Sequence, residues 1–317
     1  LALFNGFYQF FQEPKSILGA MTDYGLELNS DFLGQATGAF ADPNSFAAFL
    51  LILLPSLLIM AGVTRLPKIL RLLALYIALM FFVGIALTQS YWASAVVVML
   101  VAIVPWFCFR RLKVCLLYSC LGVSVAAFIF TAMVIFHPLF EKGLERAQSD
   151  EGEGVRLVLW REALNFAAEN PITGVGAGAY RVAFEQSPRV SLADSPETPH
   201  NDYLLILSQL GLLGVALFGI PSSYVFFRAF RRWRKEPFAV KLKNRRGTIM
   251  PPQRFFLSLG LAGVISFALC MAASFVFYIP SLTFYGVLAF AILVKTSFNR
   301  QITLPSHRVL RLEYFLL

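Results

Sequence analysis

The chain has 317 residues, 58% of them hydrophobic and 15% aromatic, with only 14% charged and a mean hydropathy of +0.68. A soluble domain of this length could not cover its surface with so few charges, so the composition implies an integral membrane protein. The net charge of +9 reflects where Lys and Arg are placed along the chain and does not point to nucleic-acid binding.

A helix needs about 20 mostly apolar residues to cross roughly 30 Å of hydrocarbon. The apolar opening Leu1–Phe11 reads as the tail of a span that begins upstream, and Leu1 in place of an initiator Met reads as a fragment. Residues 12–45 read as an external loop closing with Gly38-Ala39-Phe40-Ala41-Asp42-Pro43-Asn44. There Pro43 stops any preceding helix, and Asn44-Ser45 are expected to cap the next one. Seven complete spans follow, at about residues 46–63, 70–88, 91–109, 114–136, 202–227, 255–277 and 281–297. None resembles a cleavable signal peptide.

Lys and Arg collect in short cytoplasmic loops, which orients the chain. Alternating loops place residues 64–71, 110–113, 228–254 and 295–317 on one side. They hold 20 of the 27 Lys and Arg, with Glu236 and Glu313 the only acids. That side is therefore expected to be cytoplasmic, and Arg231-Arg232-Trp233-Arg234-Lys235 reads as an anchor on anionic lipid. Cys108, Cys115, Cys120 and Cys270 sit in or beside spans without disulfide or zinc spacing, and read as packing residues.

Residues 137–200 form the one long polar interval, and lie on the external side. Within it, Val155, Leu159, Ala163, Phe166 and Ala167 have the spacing of an amphipathic helix over 153–169. Arg156, Trp160, Arg161 and Glu162 are placed on or beside its opposite face. Asn170-Pro171 ends this helix, and Gly174, Gly176 and Gly178 then permit close approach of the backbone to another element. Thr198-Pro199 reads as a helix start, which would put His200 in the first turn of the following span. A helix N-terminus disfavours imidazolium, so His200 is expected to be neutral.

Three signatures occur in order: Gly38…Pro43-Asn44; Arg156-x-x-x-Trp160 with Asn170-Pro171-x-x-Gly174-x-Gly176; and His200-Asn201-x-Tyr203-Leu204 with Gly211-Leu212-Leu213-Gly214. Together they resemble the O-antigen ligase and O-antigen polymerase superfamily of bacterial envelope proteins, over roughly residues 30–225. The resemblance implies an inverting, metal-independent glycosyltransferase without a cofactor, working on the periplasmic side of the inner membrane. It implies an undecaprenyl-diphosphate-linked glycan as donor and a lipid A core or another glycan as acceptor. It further implies that Arg156 and His200 are essential. The chain departs from the family pattern at Thr88-Gln89-Ser90-Tyr91-Trp92 and around Gln35-Ala36, where family members carry Arg.

This chemistry suits the residue types. A diphosphate leaving group needs charge stabilisation, which a guanidinium fork at Arg156 can give, with Arg161, Arg181 and Arg189 as candidate supporters. An acceptor hydroxyl needs a base near neutrality, and His200 fits. Trp160, Asn201 and Tyr203 are candidate substrate contacts, although Trp160 reads equally as an interface anchor. Arg156 could instead pair with Glu153 or Glu162, and Asp150-Glu151-Gly152-Glu153 could be imagined as a metal site but reads more simply as a solvated acidic run.

The expected fold is therefore an all-α polytopic transmembrane bundle with a large helical external loop. It divides into an N-terminal membrane part (1–136), a periplasmic catalytic loop (137–200), and a C-terminal membrane part with a cytoplasmic tail (201–317). The competing reading is a transporter or channel. Such proteins place ionisable residues at mid-membrane depth, where these spans have none.

Overall fold

In the computed structural model, described over residues 35–40, 42–63, 66–136, 153–189, 196–241 and 248–298, every expected span is a helix. They are α1 (Pro43–Gly62), α2 (Lys68–Leu87), α3 (Tyr91–Cys108), α4 (Leu112–Phe136), α7 (Asp202–Lys235), α8 (Pro252–Met271) and α9 (Pro280–Phe298); between α4 and α7 lie α5 (Glu153–Glu169) and α6 (Tyr180–Glu185). All the expected spans but α4 are described at a length and apolarity sufficient to cross a membrane, and α4 is apolar over Leu112–Phe128. The chain is all-α. Among the described residues the only strand pairing is a two-residue ladder, Val240 with Ile249 and Lys241 with Thr248. The expectations for Leu1–Phe11, Asp150 and Glu151 fall outside the described residues.

Helices α1 and α8 form the centre. The first packs against α2, α3, α8 and α9 and buries Phe46, Leu50, Leu51 and Leu54 completely. Ser266 of α8 donates to the Leu51 carbonyl at 2.7 Å, so the polar group inside this apolar interface is satisfied. Outer helices show the reverse of a water-soluble surface: on α2, Ile69, Leu72 and Tyr76 are exposed and apolar, as lipid contact requires.

Two helix starts differ from expectation. The cap of α1 is Asp42 rather than Asn44-Ser45: its carboxylate accepts from the backbone N–H of Asn44 (3.1 Å) and Ser45 (2.9 Å), with Pro43 as the first helical residue. Asp is as good a cap as Asn, and Pro at the first position needs no N–H partner. Helix α7 starts at Asp202 and not at Thr198. Its cap is Asn201, whose Oδ1 accepts from Tyr203 N (3.0 Å) and Leu204 N (3.2 Å).

Helix α7 is broken at Gly211, where φ is +61° and ψ is −161°, a conformation reserved for glycine. The break reconciles its two ends with α8. Tyr203 Oη donates to Ala268 O and Trp233 Nε1 to Ser258 Oγ, each at 2.9 Å. A straight helix would separate residues 203 and 233 by about 45 Å, whereas residues 258 and 268 lie about 15 Å apart. Side chains cannot span the difference, so the piece before Gly211 leaves the axis of the rest.

That first piece belongs to a separate small core. Leu159, Ala163 and Phe166 of α5, Tyr180 and Phe184 of α6, and Leu205 of α7 bury one another, forming a cap over one end of the bundle. Its connecting segment is stitched to the break: Val175 N donates to Ser208 O (2.9 Å), Gly176 N to Gln209 O (3.0 Å) and Leu212 N to Pro171 O (2.8 Å). At Gly174 (φ +65°) a Cβ would run into the backbone of Ser208 and Gln209, and at Gly211 into that of Ile172. Of the alternate glycines only Gly174 thus serves the close backbone approach expected of them; at Gly176 (φ +111°) and Gly178 (φ +76°) a Cβ would meet no backbone, and what glycine supplies there is the positive φ.

Candidate active site

Four segments meet at the cap end: the start of α1, the α2–α3 turn, α5 with the loop 196–201, and the turn after α8. Asn44, beside the α1 cap, accepts at Oδ1 from Ser90 Oγ (2.7 Å) and Trp92 Nε1 (2.8 Å). This locks the α1 start to the α2–α3 turn. Within that turn Gln89 has φ +53°; among the described residues only Gln89 and His200 are non-glycines at positive φ.

His200, at φ +52°, lies just before the α7 cap and not in its first turn. Such a conformation costs about 1–3 kcal/mol and persists only where the surroundings enforce it. Three contacts do so. The His200 backbone N–H donates to Thr198 Oγ1 (3.4 Å), Trp160 Nε1 donates to Pro199 O (2.9 Å), and the imidazole meets the Phe275 ring edge-to-face at 5.1 Å.

The imidazole is half-buried. Burial lowers its pKa below the ordinary 6.5, the charge of Arg156 lowers it further, and the charge of Asp42 opposes both. His200 is therefore neutral at neutral pH, as expected, but through desolvation and Arg156 rather than a helix terminus. Opposite charges from α5 and from the α1 cap thus act on one imidazole.

The remaining candidates separate into groups. Trp160 holds the His200 loop, Asn201 caps α7, and Tyr203 braces α7 against α8. Arg181 pairs with Glu185 (3.0 Å) and Glu197 (3.5 Å). Arg161 is exposed on α5. Arg189 bridges Glu162 (2.7 Å) and Glu169 (2.6 Å), which fastens the end of the α6 segment to α5.

Glu162 is buried rather than on a wet helix face. Burial alone would raise its carboxyl pKa, but hydrogen bonds from Ser187, Arg189 and Asn165 and the Arg189 charge outweigh it and hold the group below its usual range. Asp202 is likewise a structural residue. It is fully buried, its Oδ2 accepts from Phe277 N at 3.2 Å, and its Oδ1 has no partner among the described residues. Its one sequence signal was a carboxylate at the edge of an apolar run.

An apolar cavity of about 310 Å³, lined among others by Phe82, Ile85, Tyr91, Val98 and Ala126, opens between α2, α3 and α4. Tyr91 places it next to the α2–α3 turn.

Residues 74–219, just under half of the chain, match the family model described as O-antigen ligase. The matched stretch runs from within α2 to beyond the Gly211 break and includes Arg156, Trp160 and His200. The resemblance to the O-antigen ligase and polymerase superfamily is thereby shown. It supports an O-antigen-ligase-like function in general: a glycosyltransferase-type enzyme in a multi-pass membrane protein, with a lipid-linked glycan as substrate. No curated protein matches the chain.

Proposed function

We propose, on the premise of that O-antigen ligase match, that the chain transfers a glycan from a polyprenyl diphosphate to a hydroxyl of a lipid A core or a second glycan at the periplasmic face. The observation that carries the reading is His200. It is a neutral imidazole held in a strained backbone conformation, with Arg156 close enough to act on its proton affinity.

In this reading His200 accepts the proton of the acceptor hydroxyl as the oxygen attacks the anomeric carbon. The bond from that carbon to the diphosphate oxygen breaks, and the polyprenyl diphosphate leaves with the bonding pair. Attack opposite the leaving group inverts the anomeric centre. Arg156 stabilises the charge that develops on the departing diphosphate, which a permanently charged planar fork does well without a metal ion. The apolar cavity beside Tyr91 offers a wall for the isoprenoid. The cap end faces the periplasm because the opposite end carries the basic loops. The placement of charge argues against a carrier, since Lys, Arg, Asp and Glu occur only near the ends of these helices.

The test is transfer by the purified protein in proteoliposomes with a synthetic polyprenyl-diphosphate glycan and a rough lipopolysaccharide acceptor. His200→Gln keeps hydrogen bonding but cannot take up the proton, so the rate should fall by about 10²–10⁴-fold while donor binding persists. Near-normal transfer by His200→Gln would show that the residue only positions the acceptor.

A further inference from the structure

We propose that the end of the bundle opposite His200 carries a binding site for the phosphate of an anionic phospholipid, between the α3–α4 corner and the α7–α8 connection. A cavity of about 570 Å³ lies there, walled by Trp106, Phe109, Leu112 and Phe238 and provided with Arg110, Arg234 and Arg254. Its size falls within the roughly 300–1,000 Å³ typical of small-ligand sites. The site does not depend on the glycosyl-transfer reading.

Arg254 is the reason to see a built site rather than a diffuse basic surface. Only 7% of it is exposed. Its guanidinium lies over the rings of both Trp233 and Phe238, at 4.4 and 4.8 Å. One Nη donates to the carbonyls of Trp233 (3.0 Å) and Glu236 (2.8 Å), while the buried Nε–H has no acceptor among the described residues. A buried guanidinium without an ion pair among the described residues is unfavourable unless an anion comes close to it.

The lining has three arginines against one acid, Glu236, which lies 3.7 Å from Arg232. A phosphodiester brings one negative charge and oxygens suited to guanidinium. Trp106 and Leu112 are outward-facing and apolar at the same opening, where acyl chains would continue into the leaflet. The headgroup and tails of a phospholipid thus find matching surfaces, whereas a soluble phosphate would use only the first.

A second cavity, of about 630 Å³, lies on another face of α7 with Arg228, Arg231, Arg232 and Lys235. There Arg228 and Arg232 both donate to the Ser297 carbonyl, at 3.3 and 3.1 Å. It serves as an internal control for general basicity.

The experiment is native mass spectrometry of the purified full chain titrated with phosphatidylglycerol, phosphatidylcholine or sn-glycerol 3-phosphate. Phosphatidylglycerol should bind about tenfold or more tightly than phosphatidylcholine. Replacing both exposed arginines, Arg110→Gln with Arg234→Gln, should weaken it by about tenfold or more, the order expected for losing charge-assisted hydrogen bonds. Replacing Arg231→Gln with Lys235→Gln should change it less than about twofold, within the scatter of exposed charges. Equal loss in the two double variants would reduce the site to a basic belt. Equal affinity for sn-glycerol 3-phosphate would assign it to a soluble anion, and no preference over phosphatidylcholine would remove it. Each of these three results overturns the proposal.

Discussion

Trp160 Nε1 donates to the carbonyl of Pro199 across 2.9 Å, so the helix that carries Arg156 one turn earlier also holds the residue preceding His200. The proposed leaving-group cation and the proposed base are therefore set in mutual register by one indole. Trp160→Phe keeps the ring and removes the bond. A net hydrogen bond is worth about 0.5–1.5 kcal/mol, so the transfer rate should drop by a few-fold to about tenfold, with the thermal transition little changed. An unaltered rate would make Trp160 an interfacial anchor alone.

Arg156 combines two roles that substitutions can separate. Arg156→Lys keeps the charge and loses the planar fork, so most transfer should be lost while the acid limb of the pH–rate profile stays in place. Arg156→Gln removes a charge that lowers the His200 pKa. The folded-state pKa should then rise, the base form should be lost at a higher pH, and the acid limb of the residual activity should move upward. A limb that stays fixed in Arg156→Gln would uncouple the two residues.

Gly211 tests the broken helix. A Cβ there would need a glycine-only conformation and would collide with the backbone of Ile172. Gly211→Ala should destabilise the cap by about 1–3 kcal/mol or more, read as a lower melting temperature in detergent and faster proteolysis between residues 170 and 200. Melting and cleavage like the parent protein would mean the helix tolerates a continuous course.

Glu162 sets a pH dependence of stability. Its folded-state pKa is depressed below the ordinary 4.5, so its contribution is fully present above that value and is lost as pH falls through the lower folded value. The melting temperature should therefore decline as pH falls below about 4.5. Glu162→Gln should be less stable at pH 7 by about 1–3 kcal/mol, since Arg189 loses a buried charged partner, and its own acid decline should be shallower. A parallel decline in both proteins would place the acid sensitivity elsewhere.

Orientation has a direct check. A cysteine at exposed Gln186 should react with an impermeant maleimide in intact spheroplasts, and one at Lys235 only after lysis. The reverse pattern would invert the proposed topology.

Much of the fold was legible because length and apolarity alone decide a membrane span, and all seven helices lie close to their expected positions. The amphipathic spacing of Val155, Leu159, Ala163 and Phe166 likewise identified α5. Ends were harder to read. Asp42, Asn44 and Ser45 are all competent caps, and only the packed start of α1 selects Asp42. Thr198-Pro199 has the chemistry of a helix start, yet Trp160, 40 residues before His200, and Phe275, 75 residues after it, hold His200 in a left-handed turn that no local pattern announces. Glu162 looked solvated because Arg189 and Ser187, which cover it, return from a later segment. At the candidate site, Arg156 and His200 were readable as residue types, but the opposing influence of Asp42 was not.

The shared core of the cap has a practical consequence for dissecting the protein. Leu205 closes the apolar cluster formed by Leu159, Phe166, Tyr180 and Phe184, and the glycine segment finds its carbonyl partners at Ser208 and Gln209. A recombinant segment ending before residue 201 would lack that wall and those acceptors together. Nor does the first piece of α7 stand apart from the bundle, because Tyr203 is bonded to α8. The cap is thus unsuited to excision as a water-soluble fragment, and antibodies or crystallisation partners directed at it should be raised against the intact protein in detergent or lipid.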